Sequence, residues 1–198
     1  MFTNPIIPVT LAGRHVRLAP LTLEHAPGLL AAGRDEPIWT WLIREPLRSV
    51  DDARGYISDA LEQQARGTQL AFVTLDAACG EVIGSTRYLN ILPADRVLEI
   101  GWTWLSVARQ RTAANTECKY LLLRHAFETL GALRVQLKTD LLNEKSQRAI
   151  ERIGGLREGV LRRYQATRGG RQRDTVMYSI LSEEWPAVKA RLERLLVG

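Results

Sequence analysis

The sequence predicts a mixed-sheet α/β (α+β) domain, and three observations predict it. Residues 97–105 alternate in side-chain character, as a strand does. Residues 116–130 instead place Cys118, Leu121, Leu122, His125 and Ala126 at helical spacing. The elements run strand, two helices, three strands, helix, strand, helix, two strands, helix. That order suits helices packed against a sheet.

Taken in order, residues 15–19 alternate polar and apolar side chains and read as the first strand. Thr22 offers an N-cap to a helix over 23–33, and Ser49-Val50-Asp51-Asp52 has capping-box spacing for a helix that Gly67 ends. Residues 69–75 and 82–92 are strands joined by a turn over 76–80. Between the first two helices, residues 37–48 carry Trp39 and Trp41 without clear periodicity, as either a cover over a cleft or a packed connection. In the strand 97–105, alternation puts Leu98, Ile100, Trp102 and Trp104 on one face and Glu99, Gly101 and Thr103 on the other. A basic turn over 108–115 leads into the helix from Thr116, which Gly131 closes. Residues 135–139 form a strand, and Asn143 caps a short helix that stops at Gly154-Gly155. Two strands, 156–167 and 173–181, flank a Gly169-Gly170 turn. Ser182 opens a last helix with Trp185, Val188, Leu192 and Leu195 on its apolar side.

Composition narrows the function classes. Hydrophobic residues make up 45% and charged residues 25% of the 198, which is the balance of a single globular domain. The two cysteines and three histidines sit in no ligand spacing, so no metal site is expected. No apolar run reaches the roughly 18 residues of a membrane helix, and residues 1–10 lack a secretion-signal pattern, so a cytoplasmic protein is expected. The net charge of +5 and pI near 9.6 attract anions: nucleic acid, an acidic partner or a phosphorylated cofactor.

The strand, turn and helix over 97–130 read either as a natural anion site or as a solvated basic loop. The first N–H groups of a helix lack internal partners and its dipole favours negative charge. Arg109 and Arg111 add positive charge to that turn. Glu99 is either a general base or a carboxylate paired with an arginine such as Arg87. Cys118, on the apolar face of its helix, reads as a buried structural thiol, and Trp102 and Trp104 as core. Arg162, Arg163 and Tyr164 are candidates to line an acceptor cleft.

These segments resemble a known family. The run Leu98-Glu99-Ile100-Gly101-Trp102-Thr103-Trp104-Leu105, the turn, and Thr116-Glu117-Cys118 are similar to the acetyl-CoA-binding core of the GNAT (Gcn5-related N-acetyltransferase) superfamily. Asn143-Glu144-Lys145-Ser146 leading to Glu151-Arg152-Ile153-Gly154-Gly155 resembles its next segment. Asp174-Thr175-Val176-Met177-Tyr178-Ser179-Ile180-Leu181 with Glu184-Trp185 resembles the RimJ/RimL branch. The resemblance runs from about residue 14 to 185. It implies a mostly antiparallel twisted sheet of about seven strands, one N-acetyltransferase domain over 1–198 with a C-terminal helix over 183–196, and acetyl-CoA as cosubstrate. The implied acceptor is a primary amine, either a protein N-terminus of the ribosomal-protein type or a small molecule such as an amino acid. Neither membrane nor direct nucleic-acid contact is expected, and monomer and homodimer stay open.

The resemblance also assigns residues. Backbone around Leu105 would pair with the pantetheine arm and supply an oxyanion donor, and Gln110, Arg111, Thr112, Ala113, Ala114, Asn115 and Thr116 would cradle the pyrophosphate. Asn143 would contact the cofactor or a water near the thioester, Ser146 would protonate the thiolate, and Glu99 would act on the amine. For Ser146 the residue-level alternative is an ordinary first-turn hydroxyl. Two departures stand out: Ala113 and Asn115 occupy positions where small glycine-type residues are expected, and Ile150 occupies a tyrosine-acid position. They prompt a second reading, a CoA-binding or sensing module without turnover. A third, nucleic-acid or ribosome binding, is prompted by Arg162, Arg163, Arg168, Arg171 and Arg173.

Overall fold

The computed structural model describes residues 1–197. One sheet of eight strands organises them, β1 Leu11–Ala12, β2 Val16–Pro20, β3 Leu70–Asp76, β4 Val82–Leu92, β5 Val97–Leu105, β6 Arg134–Asp140, β7 Leu156–Ala166 and β8 Gln172–Leu181. Their spatial order is β1-β2-β3-β4-β5-β6-β8-β7, and every neighbouring pair is antiparallel except β5/β6. The eighth strand is β1, two residues long and too short to leave an alternation pattern in the sequence. The helices are α1 Ala26–Ala32, α2 Val50–Ala65, α3 Ala113–Arg124, α4 Glu144–Arg152 and α5 Trp185–Val197. β5 and β6 are parallel because α3 carries the chain across the sheet between them.

Local chemistry sets the helix ends. Ser49 and Asp52 form a reciprocal capping box for α2, as their spacing predicts. α3 begins at Ala113 rather than Thr116, because Thr112 is its N-cap and accepts the Ala114 N–H at 3.2 Å. Residues 113–116 are therefore its first turn and not part of the preceding loop. A π-helical turn, His125–Thr129, continues α3 up to Gly131 at φ +70°. α5 starts at Trp185, two residues later than predicted, since Glu184 turns back to accept the Leu181 N–H.

The sheet buries an apolar layer on each face. One layer packs Leu98, Ile100, Val135, Leu137, Val176 and Tyr178 against Cys118, Leu122, Ile153 and Leu192. The other packs Ala71, Val73 and Trp104 against Leu29, Trp39, Tyr56 and Ile57. β5 contributes to both because its alternation breaks. Ser85 pairs with Trp104 and Arg87 with Gly101, so Trp102 and Thr103 together oppose Thr86 in a β-bulge, with Trp102 at φ +50°. The strict face assignment read from the sequence is corrected here. Trp104 joins the α1/α2 layer while Leu98 and Ile100 stay in the α3 layer. Beside the bulge the backbones approach so closely that a Cβ on Gly84 would lie 2.1 Å from the Trp104 carbonyl.

One buried carboxylate fastens α3 to the first strands. Glu117 accepts the backbone N–H groups of Arg14, His15 and Val16 at 2.8, 2.6 and 2.7 Å. Glu117→Ala leaves these donors without that acceptor and should lower unfolding free energy by about 3 kcal/mol. Urea denaturation will read this as a lower midpoint, and Glu117→Gln should lose less. A midpoint unchanged in the alanine variant would contradict the role.

Candidate active site

Past Glu99, which pairs with Gln136, the β5/β6 ladder ends and the two strands diverge. A cavity of about 730 Å³ occupies the opening and reaches both faces of the sheet. Of the residues expected to bind cofactor or act in catalysis, Glu99, Leu105, Gln110, Arg111, Asn115, Asn143 and Ser146 line it together. Thr112, Ala113 and Ala114 border a separate cavity of about 180 Å³ with Asp76 and Arg109, and Thr116 is buried with its hydroxyl accepting from Arg152. Arg109 is paired with Asp76 at 2.8 Å, so among the turn's arginines it is Arg111 that lines the large cavity.

One wall of the cavity is built from the starts of α3 and α4. Gln110 donates to the Leu105 carbonyl at 3.1 Å and accepts from Lys145 Nζ at 2.7 Å, tying the turn to α4. Asn143 caps α4 by accepting the Ser146 N–H at 3.1 Å. Arg111 takes the left-handed conformation in this turn, at φ +62°, while Ala113 and Asn115 do not. The absence of glycine at 113 and 115 therefore costs no backbone strain. Ile150 is 6% exposed and forms apolar wall, with no proton to give.

On the opposite face, Glu99 is 2% exposed and its Oε2 accepts from Asn90 Nδ2 at 2.8 Å and pairs with Lys138 Nζ at 3.1 Å. The expected arginine partner is not used. Arg87 instead reaches Gln69 and stacks over Tyr56 and Trp102. Two further bulges aim residues here. Asn90 and Ile91 oppose Leu98, with Asn90 at φ +48°. Residues 162–164 oppose Asp174, and this brings the Tyr164 ring 5.4 Å from Lys138 Nζ. Pro37, Ile38, Trp41, Leu42 and Ile43 close this end, so the 37–48 stretch covers the cleft while its Trp39 is fully packed, tilted against Trp104 with ring centroids 5.2 Å apart. Arg168 bonds Glu36 and Glu45, joining the β7–β8 turn to that cover.

Sequence reasoning missed Asn90, Lys119, Lys138 and Arg173 as cavity residues. Lys138 held a faint signal, a polar position alternating with Val135 and Leu137, whereas Asn90 needs a bulge that no local pattern announces. The arginine cluster proposed for nucleic acid is dispersed: Arg168 and Arg171 are engaged by carboxylates and Arg173 is buried. Cys118 is buried as expected, and burial pushes its thiol up to about 12. Among the described residues no His/Cys/Asp/Glu cluster is arranged for a metal, and no helix is long and apolar enough to cross a membrane.

This cleft, opened where two parallel strands part beside a bulge and a helix start, defines an acyltransferase fold. A family model described as an acetyltransferase (GNAT) domain matches residues 15–155, and the chain belongs to that N-acetyltransferase family. A GCN5-related N-acetyltransferase from Brucella melitensis is 32% identical, with a TM-score of 0.91 over 98% of this chain and 87% of that one. "Putative ribosomal N-acetyltransferase YdaF" of Bacillus subtilis is 34% identical over 110 residues, which are 56% of this chain and 59% of that protein. RimJ of Mycobacterium smegmatis, solved with CoA-disulfide, shares the fold at 22% identity, with a TM-score of 0.82 covering 95% of each chain.

Lys119 gives a test of how dry the cavity wall is. Its Nζ donates to Thr103 Oγ1 at 2.8 Å, and burial lowers its pKa from 10.5 to about 8. Between those values the unfolded chain holds a proton that the folded chain has released, so stability rises with pH across the window. The penalty is full below pH 8 and gone above 10.5. Thermal or urea unfolding should show wild type gaining on the order of 3 kcal/mol relative to Lys119→Met between pH 7.5 and 10.5. A difference flat in pH would contradict the desolvation.

Proposed function

We propose that the protein, acting as a single N-acetyltransferase domain with its core over about 14–185, moves an acetyl group directly from acetyl-CoA to a primary amine. The observation that carries this reading is one continuous cavity with Glu99 on one face of the sheet and the α3 and α4 starts on the other. Bound acetyl-CoA supplies the activated acetyl thioester. Arg111, Asn115 and Lys145, with the N–H groups at the start of α3, offer positive charge to its phosphates. Backbone near Leu105 faces the charge that develops on the thioester oxygen.

Glu99 Oε1 has no donor among the described residues, while Oε2 is held by Asn90 and Lys138. The fixed oxygen orients the carboxylate and the other takes a proton from the attacking amine, directly or through water. The new C–N bond forms as the C–S bond breaks, and the Ser146 hydroxyl gives a proton to the departing thiolate. The side chain at 150 has no part in this. The acceptor enters beneath the 37–43 cover, and a protein N-terminus of the ribosomal-protein type is the macromolecular acceptor the relatives' names favour.

Calorimetry with acetyl-CoA should give micromolar binding that Asn115→Glu weakens at least tenfold by setting a carboxylate against the phosphates. No binding at millimolar cofactor would overturn the proposal. Binding without acetylation of any amine would favour the module without turnover, which Ile150 prompts. With an accepted amine, Glu99→Gln should lower kcat on the order of a hundredfold or more and Ser146→Ala roughly tenfold or more, each with little change in acetyl-CoA affinity. Full kcat in both variants would remove both residues from the proton path.

A further inference from the structure

Arg173 is a charged side chain of the cleft that the acetyl-transfer scheme leaves unused. It stands on β8 opposite Gln165 of β7, is 6% exposed and lines the cavity beside Lys138 and Tyr164. Its Nε donates to Thr175 Oγ1 at 3.0 Å. Its terminal nitrogens have no acceptor and no ion-pair partner among the described residues.

The neighbouring carboxylates are already engaged. Glu99 is held by Asn90 and Lys138, and Asp140 by Arg171 and the Leu142 N–H. Against the charges of Glu99 and Asp140 stand Lys138, Arg171 and Arg173, with Lys119 also in the cavity lining, which leaves positive charge in excess. Partly desolvating a cation without a direct partner is costly, and the desolvation holds the Arg173 guanidinium below its ordinary pKa. A ligand that brings the missing anion recovers that cost, and a ligand without it leaves the cation stranded. The guanidinium fork matches a planar carboxylate with two parallel hydrogen bonds.

We propose that Arg173 is a specificity-determining residue that binds a carboxylate carried by the acceptor close to the amine being acetylated. The proposal rests on the acetyl-transfer reading for its placement of the acceptor. The carboxylate comes either from the acceptor's own α-carboxyl group, in an amino acid, or from an acidic side chain next to a peptide N-terminus.

The test reads binding as well as turnover. With the enzyme saturated in CoA, calorimetry compares N-acetylserine with its carboxamide, and acetylated tripeptides with aspartate or asparagine in second place. One member of either pair should bind roughly ten- to a hundredfold more tightly, always the carboxylate. The amino-acid pair identifies a small-molecule source and the tripeptide pair a peptide source. Arg173→Gln should abolish the preference and Arg173→Lys restore part of it, while CoA affinity and melting temperature stay near wild type. In turnover the loss should appear in KM for the acidic acceptor more than in kcat. Equal binding of both members of each pair, binding of none, or a preference that survives Arg173→Gln overturns the proposal. Turnover of amines without a carboxylate preference removes this inference and leaves the transfer reading standing. Arg173-dependent carboxylate binding without turnover does the reverse.

Discussion

Two residues of β5, Trp102 and Thr103, stand opposite one residue of β4, and the architecture of the cleft follows from that mismatch. An extra residue in one strand turns the following side chains to the opposite face and bends the strand. Leu98 and Ile100 thus serve the layer beneath α3 and Trp104 serves the layer beneath α1 and α2. The bend coincides with the parting of β5 from β6, where the cavity opens through the sheet. Gly84 permits the close backbone contact beside the bulge, and the Thr86–Thr103 hydroxyl pair at 2.8 Å fills the polar gap that it creates.

A cleft that reaches both faces of a sheet separates its chemistry by face. Arg111, Asn115, Asn143, Lys145 and Ser146 come from the starts of α3 and α4, where unpaired N–H groups and positive charge coincide. Glu99, Lys138 and Arg173 come from the other face of β5, β6 and β8. Strands give these charged groups rigid positions at little cost in order. Backbone strain is concentrated in the same place. Of the non-glycine residues with positive φ, Asn90, Trp102 and Arg111 line the cavity and Arg163 adjoins Tyr164. The surrounding sheet holds these conformations, and each one aims a side chain where a regular strand or turn would not.

Much of this was legible beforehand. The Ser49 capping box, the Asn143 cap and the helical spacing of Cys118, Leu121 and Leu122 are local patterns, and the structure keeps them. Glu99 was legible as the lone carboxylate on a strand, and Ser146 and Asn143 through the resemblance of residues 143–155 to the family's segment. What escaped depends on partners distant in sequence. Arg87 was the neighbour the sequence suggested for Glu99, and the parallel register of β5 with β6 brings Lys138 to it instead. The start of α3 was misplaced by three residues because Thr112, preceded by arginines and glutamine, gives a weaker signal than Ser49.

By itself the sequence determined the order of elements, the single sheet with helices packed against it, the helix start after β5, and the membership that those segments announce. These are properties of short windows, in which side-chain period and capping chemistry act over a few residues. Only the tertiary structure decided that the alternation of β5 reverses at Trp102, that Arg168 and Arg171 are engaged by carboxylates, and that Arg173 is left as a buried cation facing the cleft. Those outcomes depend on which strand lies beside which and on how far one face stays closed to water. Neither pairing nor desolvation is a local quantity.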